Sequence, residues 1–362
     1  MSNVKTYAKH FGKIMIQPVI ATLLGLLVGA VFIVASNENP VEIYSNMFQK
    51  SFLIPYYLTQ TLTRATPIIV CGIATAAAWR AGYINIGVEG QMITGAFTAT
   101  IVALYVPLPG FLLLPLSIVA GMIAGGLYAS LVAVLNMKFN SSIVICTLML
   151  NYVANYVTSY LVSYPFRDGS GDGLSLMTKT VPESTQFLKF SDSNTLNFGI
   201  VIAAVVVVLF YFMERKTVFG YQSRMTGLNR NFAKYGGVFE KRVMLNTMAL
   251  SGAIAALGGM CEIFGYKYRY MDGMFTSASY AWTGLMAALI ADLHPVGILF
   301  SSIFLSGLQV GGQAIQRSSS IPLQMATVIQ SSITLFVSVK LGFRFMKKRR
   351  QAKDSNKGGV AL

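Results

Sequence analysis

Ten long apolar runs dominate this chain of 362 residues, near 14–35, 51–79, 91–106, 112–135, 143–164, 198–213, 243–265, 276–291, 295–312 and 321–340. A helix needs about 20 mostly apolar residues to cross the hydrocarbon core of a bilayer, because that core is about 30 Å thick. Backbone groups inside the core must bond within the protein, which leaves helices or closed barrels. Runs of this length select helices. The reading is an all-α polytopic membrane helix bundle of about ten spans, forming one transmembrane domain over 1–362. Only 11% of residues are charged and 54% are hydrophobic, which excludes an ordinary soluble enzyme and a disordered chain alike.

Charge sets the expected orientation. With the N-terminus inside, the inner segments hold 20 basic residues and the outer ones 7, so both termini are expected in the cytoplasm. Lys5, Lys9 and Lys13 precede the first run, which is too long for a signal-peptide core and reads as an uncleaved span. The net charge of +15 belongs to such loops and does not call for nucleic acid. Four segments stand apart: the N-terminus 1–13, a polar external loop at 165–197, a basic inner loop at 214–242, and a basic tail at 341–362 that suits anionic lipid. The inner loop is either a solvated basic segment or a docking surface.

Small residues in helical register, Gly25/Gly29, Gly121/Gly125, Gly307/Gly311 and the run Gly252, Ala256, Gly259, predict closely packed helices. Cys71, Cys146 and Cys261 lie in apolar runs without a CxxC pair and read as small buried apolar residues.

The second run carries Pro55, Arg64 and Pro67, and the proline chemistry predicts a broken helix with a half-helix starting near Pro67. A plain kink is the other reading. Broken helices in membranes line cavities or are buried in protein, and transporters place their ends at binding sites. The stretch Arg80 to Gln91 then mixes Asn85, Gly87, Glu89, Gly90 and Gln91 among apolar neighbours. Glu89 either caps the turn entering the third span or needs a partner, with Arg80 and the turn amides as candidates. Further polar residues expected in the membrane are Glu262, Asp292, His294, Gln309, Gln313 and Gln324; Asp292 to Pro295 is expected to form a turn between spans. Tyr280 and Trp282 open the eighth run as interface aromatics or as a stacking surface for a planar ligand.

Catalytic and metal groups are not expected. The only histidines are His10 and His294, and there is no HExxH. No phosphate-binding G-x-x-x-x-G-K followed by Ser or Thr occurs, so the chain has no P-loop for ATP.

The run Ala65-Thr-Pro67-Ile-Ile-Val-Cys-Gly72, then Arg80-Ala-Gly82, Asn85-Ile-Gly87-Val-Glu89-Gly90-Gln91 and Gly95-Ala96 resembles the permease subunits of ABC importers for simple sugars and nucleosides. Gly227-Leu-Asn229-Arg-Asn-Phe-Ala233-Lys-Tyr235-Gly-Gly237 is similar to the ATPase-contacting segment of that family, with Arg230 in place of a usual Pro and Phe232 in place of a usual Ala. Leu257-Gly258-Gly259, Glu262, the 279–289 run and His294-Pro295-Val-Gly297 extend the resemblance, which covers about 50–340. The unbroken form of the Asn85–Gln91 motif resembles the nucleoside branch more than the ribose branch.

The resemblance implies a bacterial cell-membrane protein that is not itself an enzyme. It implies an inverted repeat of spans 2–5 against 7–10, a second related permease as heterodimer partner, an ATPase subunit that binds ATP and Mg, and an external substrate-binding lipoprotein. The expected substrate path comprises Pro67, Asn85, Glu89, Gln91, Glu262, Tyr280 and Trp282; the expected ATPase contact comprises Gly227, Asn229, Phe232, Ala233, Tyr235 and Gly237. Three alternatives stand beside nucleoside import: a simple-sugar permease of the same kind, a passive channel, and a secondary transporter using Glu89 and Glu262 as ion-coupling carboxylates.

Overall fold

The computed structural model describes residues 23–170, 175–191, 194–316 and a few positions between 324 and 336. The N-terminal segment 1–13, the tail 341–362 and most of the tenth expected span at 321–340 lie outside the described residues. Among the described residues the structure is helical, with isolated β-bridges and no named strand. Among the described residues, five helices are long and apolar enough to cross a membrane. The chain divides into two compact units, residues 55–306 and the two ends, 1–54 with 307–362.

In the end unit, α1 (Leu23–Ala35) is followed by α2 (Pro40–Phe48). Asn39 caps α2 by accepting the Val41 amide at 3.0 Å, and Pro40 supplies a first helical residue that needs no amide partner. A π-helical turn, Gln49–Leu53, ends at extended Ile54. Gly311 lets a neighbouring helix approach Ser51 and the Met47 carbonyl, and the Ser51 hydroxyl donates to the carbonyls of Met47 and Gly307 at 2.7 and 2.6 Å.

The larger unit is built on α3 (Pro55–Trp79) and α10 (Glu240–Glu262). The most apolar windows of α3 and of Glu240–Lys267 are 89% and 83% buried inside the protein, against 33% for α5 (Gly110–Phe139) and 22% for α6 (Ile143–Ser163). The first pair forms the interior and the second pair faces outward. Leu112, Leu116, Val119, Ile123 and Leu127 mark the exposed stripe of α5, a continuous apolar surface that suits lipid.

The interior depends on missing side chains. A Cβ on Gly95 of α4 (Val88–Tyr105) would stand 2.7 Å from the Gly121 carbonyl oxygen and collide with the Ala256 methyl. One on Gly125 would stand 2.6 Å from the Gly252 carbonyl oxygen. These glycines sit where α4, α5 and α10 touch, as the small-residue spacing predicts. Cys71 and Cys261 are buried, but Cys146 is only partly so and lies at the edge of an apolar cluster.

The predicted break at Pro67 does not occur. α3 runs unbroken from Pro55 through Pro67 to Trp79; the discontinuity falls earlier, at Ile54, and Pro55 starts the helix. An interior proline takes about 3 kcal/mol from a helix. Here every residue from Ala65 to Ala78 is buried, so packing on all sides holds the helix through the proline. The Thr63 and Thr66 hydroxyls donate back to the Thr59 and Leu62 carbonyls at 2.9 and 3.0 Å in the same turns.

A break appears instead in the eighth expected span. α11 (Met274–Ala278) and α12 (Tyr280–Ile290) are separated by Ser279, which is left-handed at φ +54°. α12 is about 16 Å long at 1.5 Å per residue, too short to cross alone. It ends in the expected turn, where Asp292 and Leu293 are also left-handed, before α13 (Pro295–Gln316), which contributes residues to both units. The remaining helices are α7 (Gly199–Lys216), α8 (Val218–Leu228) and α9 (Arg230–Tyr235). The loop 165–197 carries a 3-10 turn at Glu183–Thr185 and is pinned to the segment that follows α10, which opens with a π-helical turn at Ile263–Lys267: the amides of Thr178, Val181 and Phe187 donate to the carbonyls of Tyr270, Tyr268 and Phe264.

Overpacking a tight core costs about 1–3 kcal/mol. Gly95→Val is therefore expected to lower the midpoint of thermal unfolding in detergent, whereas Gly169→Ala, with nothing within 4 Å of its added carbon, leaves it unchanged.

Candidate functional site

The turn between α3 and α4 carries the polar motif. Gly82 takes φ +84°, a left-handed conformation that favours glycine. Beyond it Asn85 is fully buried and organises three elements. Its amide nitrogen donates to Gln91 Oε1 at 3.0 Å and to Ser251 Oγ at 2.9 Å, and its oxygen accepts the Gly87 amide at 2.9 Å. Ser251 passes the chain on to the Ala74 carbonyl at 2.7 Å, so α3, α4 and α10 share one network. The Trp79 indole donates to the Asn85 carbonyl at 2.9 Å.

The first turn of a helix leaves its amides without internal partners. Gly87, at the cap position of α4, has no side chain to offer. Asn151, reaching across from α6, serves instead: its Oδ1 accepts the Gly90 amide at 2.8 Å and its Nδ2 donates to the Ile86 carbonyl at 3.0 Å. Sequence reasoning did not single out Asn151; the only signal was an amide within an apolar run.

Glu89 stands in the first turn of α4, where the helix dipole complements a carboxylate. Its partners are not Arg80 or the turn amides. Thr276 Oγ1 donates to Oε1 and Trp282 Nε1 to Oε2, both at 2.8 Å. Thr276 belongs to α11 and Trp282 to α12, so one carboxylate binds both sides of the break at Ser279. Asn155 of α6 lies 3.5 Å from the Thr276 hydroxyl. Glu89 is nearly buried, whereas Trp282 is 38% exposed and Thr276 is exposed, so the carboxylate lies just beneath an accessible polar mouth.

Glu262 and Tyr280 form a separate pair. The buried Tyr280 hydroxyl donates to Glu262 Oε1 at 3.0 Å, and Arg64 and Lys267 act on that carboxylate electrostatically. Of the expected path residues, the structure thus brings Glu89 and Trp282 together, Asn85 and Gln91 together, and Glu262 and Tyr280 together, while Pro67 lies inside α3.

Arg80 forms an ion pair with Glu214 at the end of α7. Its guanidinium also reaches the Leu293 carbonyl at 3.4 Å. This fastens the ends of α3 and α7 to the turn before α13.

Within 227–237, the end of α8 leads through Asn229 into the short helix α9, which is seated on the turn between α3 and α4. Asn229 caps α9 by accepting the Phe232 amide at 3.1 Å. Gly227 leaves room for the Arg80 carbonyl, which any Cβ there would strike. Arg230 donates to the Gly82 carbonyl at 3.2 Å, lies over the Tyr83 ring at 5.2 Å, and pairs with Glu240 at 3.6 Å. Ala233 and Val238 bury themselves in a cluster with Ala78, Ala81 and Tyr83. The opposite face is bare: Tyr235 is 94% exposed and Phe232 60%. Gly236 and Gly237 close the segment, Gly237 at φ +80°. Among the described residues no group of three or more His, Cys, Asp or Glu could hold a metal ion.

Residues 57–338 match a family of membrane permeases described as the branched-chain amino acid transport system permease component. The chain belongs to this family. It is a multi-pass membrane protein and the permease subunit of an ABC importer, not an enzyme in its own right. Such a subunit works with an ATPase and a substrate-binding protein. Its relatives include the guanosine ABC transporter permease protein NupP of Bacillus subtilis, 30% identical over 94% of this chain and 98% of the relative. The glucose ABC transporter permease protein of Haloferax volcanii is 32% identical over 95% and 94%. The nucleoside ABC transporter permease protein NupB of Lactococcus lactis is 29% identical over 93% and 94%.

Leaving a buried backbone group unpaired costs about 1–3 kcal/mol. Asn151→Leu strands the Gly90 amide and the Ile86 carbonyl, and is expected to destabilise this permease by about that amount per group, measured as a fall in the thermal midpoint.

Proposed function

We propose that this permease passes nucleosides into a bacterial cell, as half of a heterodimer with a second, related permease. The observation that carries the reading is the end-to-end similarity to guanosine and nucleoside permeases, together with a carboxylate and an indole side by side at a helix break. A nucleoside offers a flat base and a hydroxyl-bearing ribose, and a base stacks on an aromatic face for about 1–3 kcal/mol. Glu89 and Trp282 form the substrate-facing wall, and Asn85 and Gln91 brace it from behind. The Glu262–Tyr280 pair belongs to the same stretch of path, whereas Pro67, buried within unbroken α3, lies behind it. The similar glucose permease supports a sugar as the second reading, since hydroxyls suit the same carboxylate.

The excess of basic residues in the inner segments supports both termini in the cytoplasm, with an external binding lipoprotein delivering substrate to the face bearing loop 165–197. ATP and Mg reside on the ATPase. The segment 227–237 is the coupling helix, whose exposed Phe232 and Tyr235 enter a groove of that ATPase. Its movement is passed on through Gly82 and Tyr83, on which it sits.

Uptake of labelled nucleosides and sugars by vesicles holding the complete complex tests the substrate. Accumulation of nucleosides on ATP addition is the expected result; accumulation of glucose alone selects the second reading. The purified permease by itself is expected to hydrolyse no ATP. Tyr235→Ala is expected to insert and melt normally, because its ring touches little of its own chain, yet to retain at least tenfold less ATPase in co-purification. Retention equal to the unaltered chain would move the contact elsewhere.

A further inference from the structure

We infer that the Glu89 carboxylate sets substrate preference by reading a pair of adjacent hydrogen-bond donors on the solute. The inference rests on the nucleoside reading and gives it a chemical selector.

Three observations lead there. First, Glu89 holds a pair of donors already, one on each oxygen, Thr276 Oγ1 and Trp282 Nε1, both at 2.8 Å. A carboxylate has about four acceptor positions, so each oxygen retains one. Second, among the described residues no cation lies within ion-pair distance of Glu89; Arg80, its nearest cationic neighbour in sequence, is committed to Glu214. A carboxylate in an apolar bundle that is met only by neutral donors is a strong acceptor with capacity unspent. Third, the site opens on its donor side. Thr276 and Ser277 are exposed, Asn155 is half-buried, and Trp282 shows more than a third of its surface. Its ring is anchored by its own N–H, which leaves an aromatic face for a planar group beside the carboxylate.

A solute that fits carries two neighbouring N–H or O–H groups directed the same way, so that each meets one oxygen. Nucleosides offer this chemistry in two places. Guanine has a ring N–H beside its exocyclic amine, and ribose has a cis pair of hydroxyls. Adenine does not, because its amine lies beside a ring acceptor. Glu89→Gln keeps the shape and replaces one acceptor by a donor, so it opposes such a pair while leaving single-donor solutes far less affected.

The test is ATP-driven uptake by the complete complex, with the same binding protein in every arm, using guanosine, inosine, which lacks the amine, and 2′-deoxyguanosine, which lacks one hydroxyl. If the base edge is read, the unaltered complex favours guanosine over inosine by at least tenfold and treats the deoxy compound like guanosine. If the diol is read, 2′-deoxyguanosine falls by at least tenfold and inosine does not. In either case Glu89→Gln brings the disfavoured and favoured solutes to within about twofold. Thr276→Val, which frees one acceptor position without altering the carboxylate, is expected to shift the same ranking and serves if Glu89→Gln does not assemble. A ranking unchanged from the unaltered complex in whichever of these variants assembles overturns the inference, as does an unaltered complex that carries all three equally. Uptake of glucose with no nucleoside overturns the substrate reading instead; the selector is then tested by glucose against 2-deoxyglucose in the same variants.

Discussion

In a membrane interior a backbone amide or carbonyl that leaves its helix finds no water, and must be met by another protein group. That requirement explains where this permease places its few polar side chains. The start of α4 lacks a cap and is closed by Asn151 from α6. The π-helical turn Ile263–Lys267 after α10 is met by Asn197, which donates to the Gly265 carbonyl at 2.9 Å while accepting the Gly199 amide at 2.9 Å. Asn85 closes the turn before α4. Asn151 and Asn197 each offer a donor and an acceptor to two parts of the backbone, and Asn85 accepts a backbone amide while donating to side chains of α4 and α10, so irregular backbone and interhelical attachment arise together.

These attachments need helices close enough for short side chains to span the gap, and the glycine contacts among α4, α5 and α10 provide the approach. Packing and polar closure thus depend on one another. The same interior keeps α3 continuous through Pro67, a residue that breaks helices in less supported settings.

Much of the architecture is legible in the sequence. The apolar runs gave the helices, the glycine spacings marked their contacts, and Asn229 with the closing glycines marked the short helix of the basic loop. The break at Ser279 was not legible. It falls in Thr276-Ser-Ala-Ser-Tyr280, without proline or glycine, and its stabilising carboxylate lies nearly 190 residues earlier. Local chemistry predicted a break at Pro67, where tertiary packing suppresses it, and none at Ser279, where tertiary bonds hold one open. The partners of Glu89 and Arg80 were hidden for the same reason: Trp282 and Glu214 are remote in sequence and become neighbours only in the fold.

Gly227, at the end of α8 just before the short helix, lies so close to the Arg80 carbonyl that no side chain would fit there. From there to Glu89 the chain runs through Gly82, Tyr83 and Asn85, with Gly82 and Tyr83 tied to Arg230 and Asn85 to Gln91 and Ser251. The strut between the exposed helix and the carboxylate is therefore a single turn of chain, clamped at both ends, with little slack to absorb a displacement. In the coupling role proposed for 227–237, a push on that segment reaches Glu89 through this turn, where Gly82 holds the left-handed conformation that a side chain would strain.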